Sequence, residues 1–466
     1  MYNSGKYLVV LFLFIICFNK QIKAGDTLTS ANVESISLQL FTEKNWKELV
    51  PFSENAINKG FDYYYLRMRA GIGCYETKKY RKAEGHLRKA LNFNSGDEEA
   101  TNYLYLCLVF NQKYEEAKWI SKSFTEEQKD KLQIKKPFPI TYLSVEGGVK
   151  TSSVSDTFSN GQYYQLGLEH FLFHRVSFFH SFNYYGQDQT NYLLRTDSMP
   201  LHKWHQPPPV PGSPDHLDSS TVFTNSIKKV TSIQQYHYYL KANIPFKNNF
   251  LLSLSGQWIL EKDKVHVNNY SISGTDPEHE DQPQHNVPMH TVSKEFPGHD
   301  TIFSLSSYIV YTTIKKYTTF LDYSIGALVN SMGKDVEYQF AAGIEYHPLA
   351  NNRFVLGCIG YTHSRNGLSE NVIAYSPYVS FVPIKKLTFT ADFMQNQAGN
   401  VVEYSGFYVN NSKYYIKNRF GATVKYQLFK KVNVYGNYGL ENKGDRDNSN
   451  FNFTNNLFLL GIAITP

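Results

Sequence analysis

The chain has 466 residues, which is enough for two or three domains. Its hydrophobic content is 42 % and its mean hydropathy is −0.41, so the composition excludes a bundle of membrane-spanning helices. The net charge is only +6 and the sequence shows no polybasic run, which argues against a nucleic-acid partner. Aromatic residues make up 16 % of the chain, a content that suits β-strands and membrane interfaces.

The N-terminus has the layout of a secretory signal. A lysine precedes an apolar run over residues 7–18, and Ala24 offers a small residue for cleavage. The run is too short to span a membrane, so we predict a signal peptide over residues 1–24. Cys17 is not expected to carry a lipid, because Ile16 stands where lipoprotein signals have a small residue. The other cysteines lie far apart and predict neither a disulfide framework nor a zinc site.

A helical repeat follows over residues 25–135. Tyr80 matches Tyr114 and Ala83 matches Ala117, and each pair is 34 residues apart. A degenerate first copy over residues 32–60 completes the series. Further members of the pattern are Trp46, Leu49, Ala70, Leu87, Ala90 and Leu104.

The period and the small residues at the helix crossings resemble the tetratricopeptide repeat, in which helix pairs stack into a curved solenoid. Two positions depart from that family: Ser95 replaces its usual proline and Cys74 its usual tyrosine. The resemblance implies either a docking surface for another protein or a structural cap. Three repeats are close to the minimum for stability, so we expect contact with the neighbouring domain.

From Ile140 onward the helical repeat ends, and apolar residues recur at every second position. In residues 336–346, VEYQFAAGIEY, apolar and aromatic residues alternate with small, polar or acidic ones, which indicates a strand with one apolar face. The same alternation occurs in residues 250–261, 317–329 and 412–428. We place about 14 strands near residues 140–150, 162–173, 176–186, 231–246, 250–262, 301–313, 317–330, 336–347, 353–363, 370–382, 386–395, 412–429, 431–441 and 453–465.

The connections between these strands alternate between short and long. A water-soluble sandwich has no reason for this alternation, whereas an outer-membrane barrel has short periplasmic turns and long outer loops. A closed ring also leaves no unpaired strand edge in lipid. We therefore predict an α + β multidomain chain. A short N-terminal α-solenoid, residues 25–135, precedes an up-and-down antiparallel transmembrane β-barrel of about 14 strands, residues 136–466.

Charged residues are expected on the inner face, because a charge that faces the bilayer midplane costs about 2–4 kcal/mol. The predicted inner charges form an acidic group on adjacent strands and a basic group on one later strand. These charges have two possible roles. The charges produce a field that orients a polar solute, or they form ion pairs that stabilise a wet lumen. The predicted lumen-lining residues are Asp322, Glu337, Glu345, Asp392, Lys417, Arg419 and Lys425.

Two long segments are interpreted as solvated outer loops. Residues 187–230 contain QPPPVPGSPD and Trp204, which could anchor in the barrel mouth. Residues 263–300 contain several acids and histidines, types that can bind a transition metal. Their spacing fits no rigid ligand frame, so we predict no metal and no cofactor. The histidines are His266, His279, His285, His290 and His299.

No catalytic site is predicted. Ser304 and Ser306 near His299 give a weak suggestion of a hydrolase, and no Ser–His–Asp set is found. A sugar-stacking track would indicate glycan transport. Only Tyr239 and Tyr435 are inward-facing aromatic candidates, which are too few to predict one.

The order of signal, short repeat array and barrel resembles YaiO-type outer-membrane barrels and, more distantly, exopolysaccharide export porins. The first hypothesis is an outer-membrane channel or export porin for a polar solute or glycan, whose periplasmic repeats dock a protein partner. The second is a non-conducting anchor that holds the repeats at the membrane to recruit a periplasmic partner. The expected location is the outer membrane, with the N-terminal domain in the periplasm.

Overall fold

The computed structural model describes residues 28–134, 140–172, 175–200, 220–275, 291–331, 336–365, 370–395, 402–403, 408–409, 414–445, 448 and 450–465. The predicted signal peptide lies outside these residues. Seven α-helices occupy the described N-terminal part, and none of the described helices is long and apolar enough to cross a membrane. The helices are α1 Ser30–Thr42, α2 Trp46–Asn58, α3 Tyr64–Glu76, α4 Tyr80–Phe93, α5 Glu98–Phe110, α6 Tyr114–Ser121 and α7 Glu126–Lys131.

The first six helices form three helix pairs, which confirms the predicted repeat. The residue that ends each tight turn between the helices of a pair has a positive φ: 57° at Lys44, 62° at Lys78 and 60° at Gln112. These positions are again 34 residues apart. Ala83 and Ala117 are buried where the helices cross, because only a small side chain lets two backbones approach so closely. We call residues 30–131 the helical array.

Eighteen β-strands follow the helical array within the described residues. Fourteen of them form a barrel, and two short pairs, β6–β7 and β14–β15, lie outside its wall. The strands are β1 Ile140–Ser152, β2 Gly161–Leu172, β3 Val176–Pro200, β4 Ser220–Phe246, β5 Phe250–Val267, β6 Tyr270–Thr275, β7 Thr291–Phe296, β8 His299–Lys316, β9 Leu321–Asn330, β10 Glu337–Tyr346, β11 Phe354–Arg365, β12 Glu370–Ile384, β13 Leu387–Gln395, β14 Val402–Glu403, β15 Tyr408–Val409, β16 Tyr415–Phe429, β17 Val432–Gly444 and β18 Asn452–Ile464.

The barrel is closed by its first and last strands. β1 pairs antiparallel with β18, from Leu143 opposite Ile464 to Ser152 opposite Asn455. Every other wall strand pairs antiparallel with the neighbouring wall strands in chain order. The up-and-down barrel of 14 strands is therefore confirmed, and a sandwich of two open sheets is excluded. Closure gives hydrogen-bond partners to the backbone N–H and C=O groups that would be unpaired at an open sheet edge.

The two predicted faces of the strands are present. On β10, Phe340 is 55 % exposed, whereas its neighbours Glu337 and Gln339 are 1 % and 0 % exposed. Polar residues thus point into the barrel, and apolar residues point away from it, as lipid outside the wall requires. We call the outward apolar side chains the apolar belt. It includes Val145, Leu254, Ile325, Phe340, Val424, Leu460 and Ile462.

Within the described residues, β-strands extend well into the segments 187–230 and 263–300 that were interpreted as loops, so the predicted strand bounds are wrong there. β3 and β4 pair as far as Pro200 opposite Ser220, and the hairpin β6–β7 continues beyond β5 and β8. On β8 the consecutive residues Ile302 and Phe303 are both exposed, because the sheet there has neither lipid outside nor a filled interior. A strand pair with water on both sides needs no apolar face, so its sequence does not alternate between apolar and polar residues. Trp204 lies outside the described residues.

Two local predictions also need correction. β9 begins at Leu321 and not at residue 317, so Tyr317 belongs to the turn before it. In β16 the register shifts between Ile416 and Asn418, and this bulge reverses the faces of the residues before it. Ile416, predicted to face outward, is therefore buried at 1 % exposure.

Candidate functional site

The helical array contacts the barrel at the end where the short turns lie. Arg81 at the start of α4 forms an ion pair with Asp322 on β9, and both side chains are buried. The guanidinium also donates hydrogen bonds to the carbonyl oxygens of Thr318, at 2.7 Å, and Thr319, at 3.2 Å. A buried charge is tolerated only where it is paired and hydrogen-bonded. This cluster therefore fixes the array to the barrel wall.

A second contact joins α6 of the array to β3 and β4 of the barrel. Glu115 in α6 accepts hydrogen bonds from Ser177 Oγ, at 2.9 Å, and from Asn243 Nδ2, at 3.2 Å. Ser177 belongs to β3 and Asn243 to β4. Nearby, the Arg175 guanidinium stacks on the Trp119 ring at 4.5 Å. The contacts between the helical array and the short-turn end of the barrel therefore extend from β3 to β9.

The turns inside the repeats dock on the β10–β11 turn, residues 347–353. Asn351 Nδ2 donates to the carbonyl oxygen of Lys78 at 2.9 Å, and Asn352 Nδ2 donates to that of Asn111 at 2.9 Å. Lys78 is one of the positive-φ residues of the repeat. The repeated backbone turn therefore supplies the surface that meets the barrel. Together these contacts form a cap over part of the short-turn end.

Inside the barrel, Val402 and Glu403, which lie between β13 and β16 in the chain, contact the inner wall. Gln339 on β10 donates from Nε2 to the Val402 carbonyl oxygen at 2.7 Å, and its Oε1 accepts from the Val402 N–H at 3.1 Å. The Val402 side chain packs against inward-facing Ile259, Ile309 and Leu328. We call β14 and β15 the inner segment. The sequence analysis interpreted this stretch only as a connection between the predicted strands 386–395 and 412–429.

The neighbouring residue ties the inner segment to a different strand. Glu403 is 2 % exposed and accepts two hydrogen bonds from the Arg419 guanidinium, at 2.6 and 2.8 Å. Arg419, on β16, also lies 3.2 Å from Asp392 on β13. Because Val402 is held by β10 and Glu403 by β16, the inner segment narrows this side of the lumen.

Two of the three acids in the acidic group predicted for the lumen, Asp322 and Glu345, are paired with cations. Lys315 Nζ lies 2.7 Å from Glu345, and His363 Nε2 lies 3.5 Å from Glu337. Asp322 is held by Arg81, which comes from the helical array. This arrangement agrees better with ion pairs inside a wet lumen than with a single field across it.

The basic group is divided. Arg419 points inward and is paired, as described above. Lys425 is exposed, and no ion pair to it occurs within the described part of the chain. Lys417 falls at the β16 bulge, which takes it out of the alternation that placed it beside Arg419. Its ammonium donates to Asn452 Oδ1 at the far end of β18, so the prediction that Lys417 shares an inner face with Arg419 is wrong.

Aromatic side chains line the wall opposite the inner segment. On β1, β3 and β4, Phe179 lies 6.3 Å from Tyr142 and 6.2 Å from Tyr239 between ring centroids. Farther from the short-turn end on the same wall, the Tyr163 hydroxyl donates to Gln165 at 2.7 Å. The Lys150 ammonium lies 5.4 Å from the centroid of the Tyr185 ring. We call these five aromatic residues, Tyr142, Tyr163, Phe179, Tyr185 and Tyr239, the aromatic lane.

The weak hydrolase suggestion gains no support. His299 and the two serines are separated by odd numbers of residues on β8, and successive residues of a strand point to opposite faces. Ser306 accepts a hydrogen bond from Trp258 Nε1 on the outer surface, at 2.6 Å. In the neighbouring ribbon, His266 Nδ1 lies 2.7 Å from Asp300. Three of the predicted loop histidines, residues 279, 285 and 290, lie outside the described residues.

Two groups of side chains in the described residues bring three metal-ligand types within 4.8 Å of one another. Asp322, Glu345 and His347 form the first, and Arg81 and Lys315 already neutralise it. These contacts indicate an ion-pair cluster.

The second group lies in the helical array and consists of Glu54, Cys74 and His86. Lys82 Nζ lies 2.8 Å from Glu54, so this carboxylate is already paired. Burial raises the pKa of the Cys74 thiol to about 12, which keeps it protonated and a poor metal ligand. This group is therefore also explained without a metal.

Sequence reasoning missed the residues that restrict the lumen. Glu403 sits in a segment predicted as a loop, and Arg81 sits in a helix predicted only as part of a repeat. No period in the sequence marks either contact. Gln339 was correctly placed on the inner face, but its partner Val402 was not foreseen.

No protein-family model matches the chain, and no curated protein matches it. Solved structures that match include the ferric-catecholate import receptor Fiu from E. coli K12, with 13 % identity over 66 % of this chain and 52 % of Fiu, and a TM-score of 0.32. This chain thus spans about half the length of Fiu. A FadL homologue from Pseudomonas aeruginosa has 10 % identity over 70 % of this chain and 90 % of its own, with a TM-score of 0.35.

The helical array has its own similar structures. The first TPR of Spaghetti (RPAP3), solved with an HSP90 peptide, has 17 % identity over 23 % of this chain and 90 % of its own, with a TM-score of 0.21.

Proposed function

We propose that this chain is an outer-membrane channel for a polar solute, with a glycan as the favoured cargo. The observation that carries the proposal is the aromatic lane on β1–β4. Aromatic faces stack on the apolar faces of sugar rings and leave the sugar hydroxyls free for polar neighbours. The lane lies on the wall that the inner segment leaves free, so a path past the inner segment would run along it.

The polar inner wall supports the same proposal. Ser181, Asn183 and Gln235 lie beside the lane and make the wall there polar: Ser181 Oγ donates to Asn183 Oδ1 at 2.9 Å, and Gln235 Nε2 donates to Glu261 at 2.6 Å. A barrel of 14 strands is wider than one of eight, whose side chains fill the interior. The lumen can therefore hold water or an extended polymer beside the inner segment.

We propose that the short-turn end and the helical array face the periplasm. Long extracellular loops and short periplasmic turns are the rule in single-chain outer-membrane barrels. In this orientation the array covers the periplasmic mouth, and a periplasmic protein that binds its repeats would meet cargo at the entrance. The layout shared with YaiO-type barrels is consistent with this arrangement.

Ion current through single channels tests the proposal. The full chain is reconstituted in a planar bilayer, and a neutral maltooligosaccharide or an acidic oligogalacturonate is added on each side in turn. We expect at least one probe to interrupt the current, and Tyr163→Ala, which removes a half-buried ring of the lane, to shorten the interruptions. Tyr378→Ala is the matched control, because Tyr378 is also half-buried and lies on the inner face of β12, in phase with the buried Ala374 and Ser376 and away from the lane. Currents that neither probe interrupts would contradict a glycan channel.

A specific observation favours the second candidate, a non-conducting anchor. The cap and the inner segment both reduce the lumen, and their contacts are buried ion pairs and paired backbone groups. In this case the barrel holds the helical array at the membrane, where the array recruits a periplasmic partner. A wild-type chain that never conducts, together with variants of Gln339 that never conduct, would support the anchor over the channel.

A further inference from the structure

The short turns of the barrel share an unusual charge. The residues between or flanking the wall strands at this end include eight lysines and arginines that do not pair with lumen acids, and the turns themselves contain no aspartate or glutamate. By contrast, residues 276–281, between β6 and β7 in the sequence, read DPEHED. We call the cations of the short-turn end the basic rim. They are Arg175, Lys247, Lys316, Arg353, Lys385, Lys386, Lys430 and Lys431; Lys315 is left out because it faces the lumen, where it pairs with Glu345.

The basic rim lies at the boundary of the apolar belt. Lys316 Nζ lies 4.1 Å from the centroid of the Phe250 ring, and the Arg175 guanidinium lies 5.7 Å from that of Phe246. Both rings are at least 40 % exposed on the outer surface. These cations therefore sit where an outward apolar surface ends and water begins. In a bilayer this is the level of the lipid phosphate groups.

One part of the rim forms a crevice with the helical array. The crevice has a volume of about 900 Å³ between α4, α6 and the β4–β5 turn. Lys122, Lys247 and Lys316 line it, together with Trp119. Within the described residues neither Lys122 nor Lys247 has an acidic partner. Arg88, which also lines it, is neutralised by Glu116 at 2.8 Å and so adds little free charge.

Position and charge together select one class of ligand. A free anion would need only the cations, and an acidic protein would need a surface away from lipid. A phospholipid needs both features that are present here, cations at phosphate level and an adjoining apolar surface for its acyl chains. The exposed rings of Phe246 and Phe250 supply that surface directly below the crevice.

We propose that the basic rim binds the phosphate groups of anionic phospholipids in the adjacent leaflet, with its tightest site in the crevice of Lys122, Lys247 and Lys316. The bound lipids would hold the helical array and the barrel at a fixed height in the membrane. This inference requires only that the barrel spans a bilayer. It does not depend on channel activity, because a non-conducting barrel would carry the same rim.

Lipid binding to the full chain in a nonionic detergent tests the proposal. Dioleoylphosphatidylglycerol and dioleoylphosphatidylcholine are titrated separately, and bound lipid is counted by native mass spectrometry. The wild type should bind the anionic lipid more tightly, and added salt should reduce the difference. The triple variant Lys122→Gln/Lys247→Gln/Lys316→Gln should lose about fivefold for each lysine, on the order of a hundredfold in all.

Two further variants separate charge at this site from charge in general. The triple replacement of the same lysines by arginine keeps the charge and should keep anionic-lipid binding. Lys228→Gln/Lys262→Gln/Lys264→Gln removes three exposed lysines at the far end of the barrel and should leave it unchanged. Inorganic phosphate at the same phosphorus concentration should not displace the lipid.

Three results would overturn the proposal. The first is equal affinity of the wild type for the two lipids. The second is an equal loss of binding in the far-end triple variant. The third is displacement of the anionic lipid by inorganic phosphate, which would assign the crevice to a free anion.

Discussion

Arg81 and Asp322 are 241 positions apart in the chain, and their ion pair joins the helical array to the barrel. Asp322 was predicted from strand alternation as an inner-wall acid, whereas its partner comes from a different domain. The side chains are 3 % and 1 % exposed, so neither charge is solvated by water. One partner of this buried ion pair therefore comes from the barrel and the other from the helical array.

Removal of Arg81 should loosen the cap. In Arg81→Met the Asp322 carboxylate stays buried and loses its main partner, a change that costs about 3–5 kcal/mol. We expect the helical array to be cleaved faster by a protease in detergent, at a dose that leaves the wild-type chain intact.

Two variants control this prediction. Lys129→Met removes an ion pair with the exposed Glu126, and such pairs contribute about 0–1 kcal/mol, so cleavage should hardly change. Arg81→Met/Asp322→Leu removes both charges and should regain part of the protection. If the double variant is cleaved as fast as Arg81→Met, the ion pair is not what holds the cap.

Gln339→Leu should release the inner segment. The substitution leaves the N–H and C=O of Val402 without partners in a buried site, at about 1–3 kcal/mol for each group. A freed segment widens the lumen, so single-channel conductance in a planar bilayer should rise.

Gln165→Leu is the matched control for Gln339→Leu. Gln165 is also a buried inward-facing glutamine, but it lies on β2 and bonds to Tyr163 rather than to the inner segment. Its conductance should remain at the wild-type level. An equal rise in both variants would mean that any inner-wall substitution changes the current.

A charge in the apolar belt should destabilise the barrel. Leu460 is 75 % exposed and lies between the outward Phe458 and Ile462 of β18. Leu460→Arg is expected to cost about 2–4 kcal/mol of unfolding free energy in lipid vesicles, because the guanidinium then faces hydrocarbon. Denaturant titration measures this loss.

The matched control lies beyond the membrane. Ile302 is 69 % exposed on the protruding part of β8, so Ile302→Arg places the same charge in water. This variant should change the unfolding free energy little. Equal losses for Leu460→Arg and Ile302→Arg would contradict a lipid-facing belt.

The helical array should lose stability in acid through Glu84. Burial opposes ionisation of this carboxyl, but Lys113 and Arg88 outweigh it and lower the pKa to about 2. Because the pKa in the unfolded chain is higher, the pair stabilises the fold above about pH 4.5 and loses this contribution as the pH falls toward 2.

The unfolding free energy of the array, followed by helical circular dichroism of the full chain, should therefore fall with a slope of up to about 1.4 kcal/mol per pH unit from this group. Glu84→Gln, which cannot ionise, should flatten this part of the profile. Glu48→Gln, an exposed site, should not. A wild-type profile as flat as that of Glu84→Gln would contradict the assignment.

Sequence reasoning predicted best the helices and strands whose residue types recur at a regular spacing. Tyr80 and Tyr114 each begin a helix, as their 34-residue spacing indicates, and the alternation around Phe340 sets the face of β10. Both periods arise because one side of the element must be apolar wherever it meets a core or lipid. The order of the strands then follows from their short connections.

The contacts that define the site have no such period. The bond between Gln339 and Val402 joins residues 63 positions apart through a segment with irregular sequence. Lys417 was misplaced because a bulge adds one residue and reverses the pattern. The ribbon of β3 and β4 was taken for a loop because it leaves the membrane, where alternation is no longer required.

Single-channel conductance of the wild-type chain and of Gln339→Leu, in planar bilayers of one composition, tests the central claim most directly. That claim is a water-filled lumen in a lipid-embedded ring, narrowed by the inner segment. We predict discrete current steps in the wild type and larger steps in Gln339→Leu. Complete silence in both proteins, after each is shown to insert as a folded barrel, would contradict it.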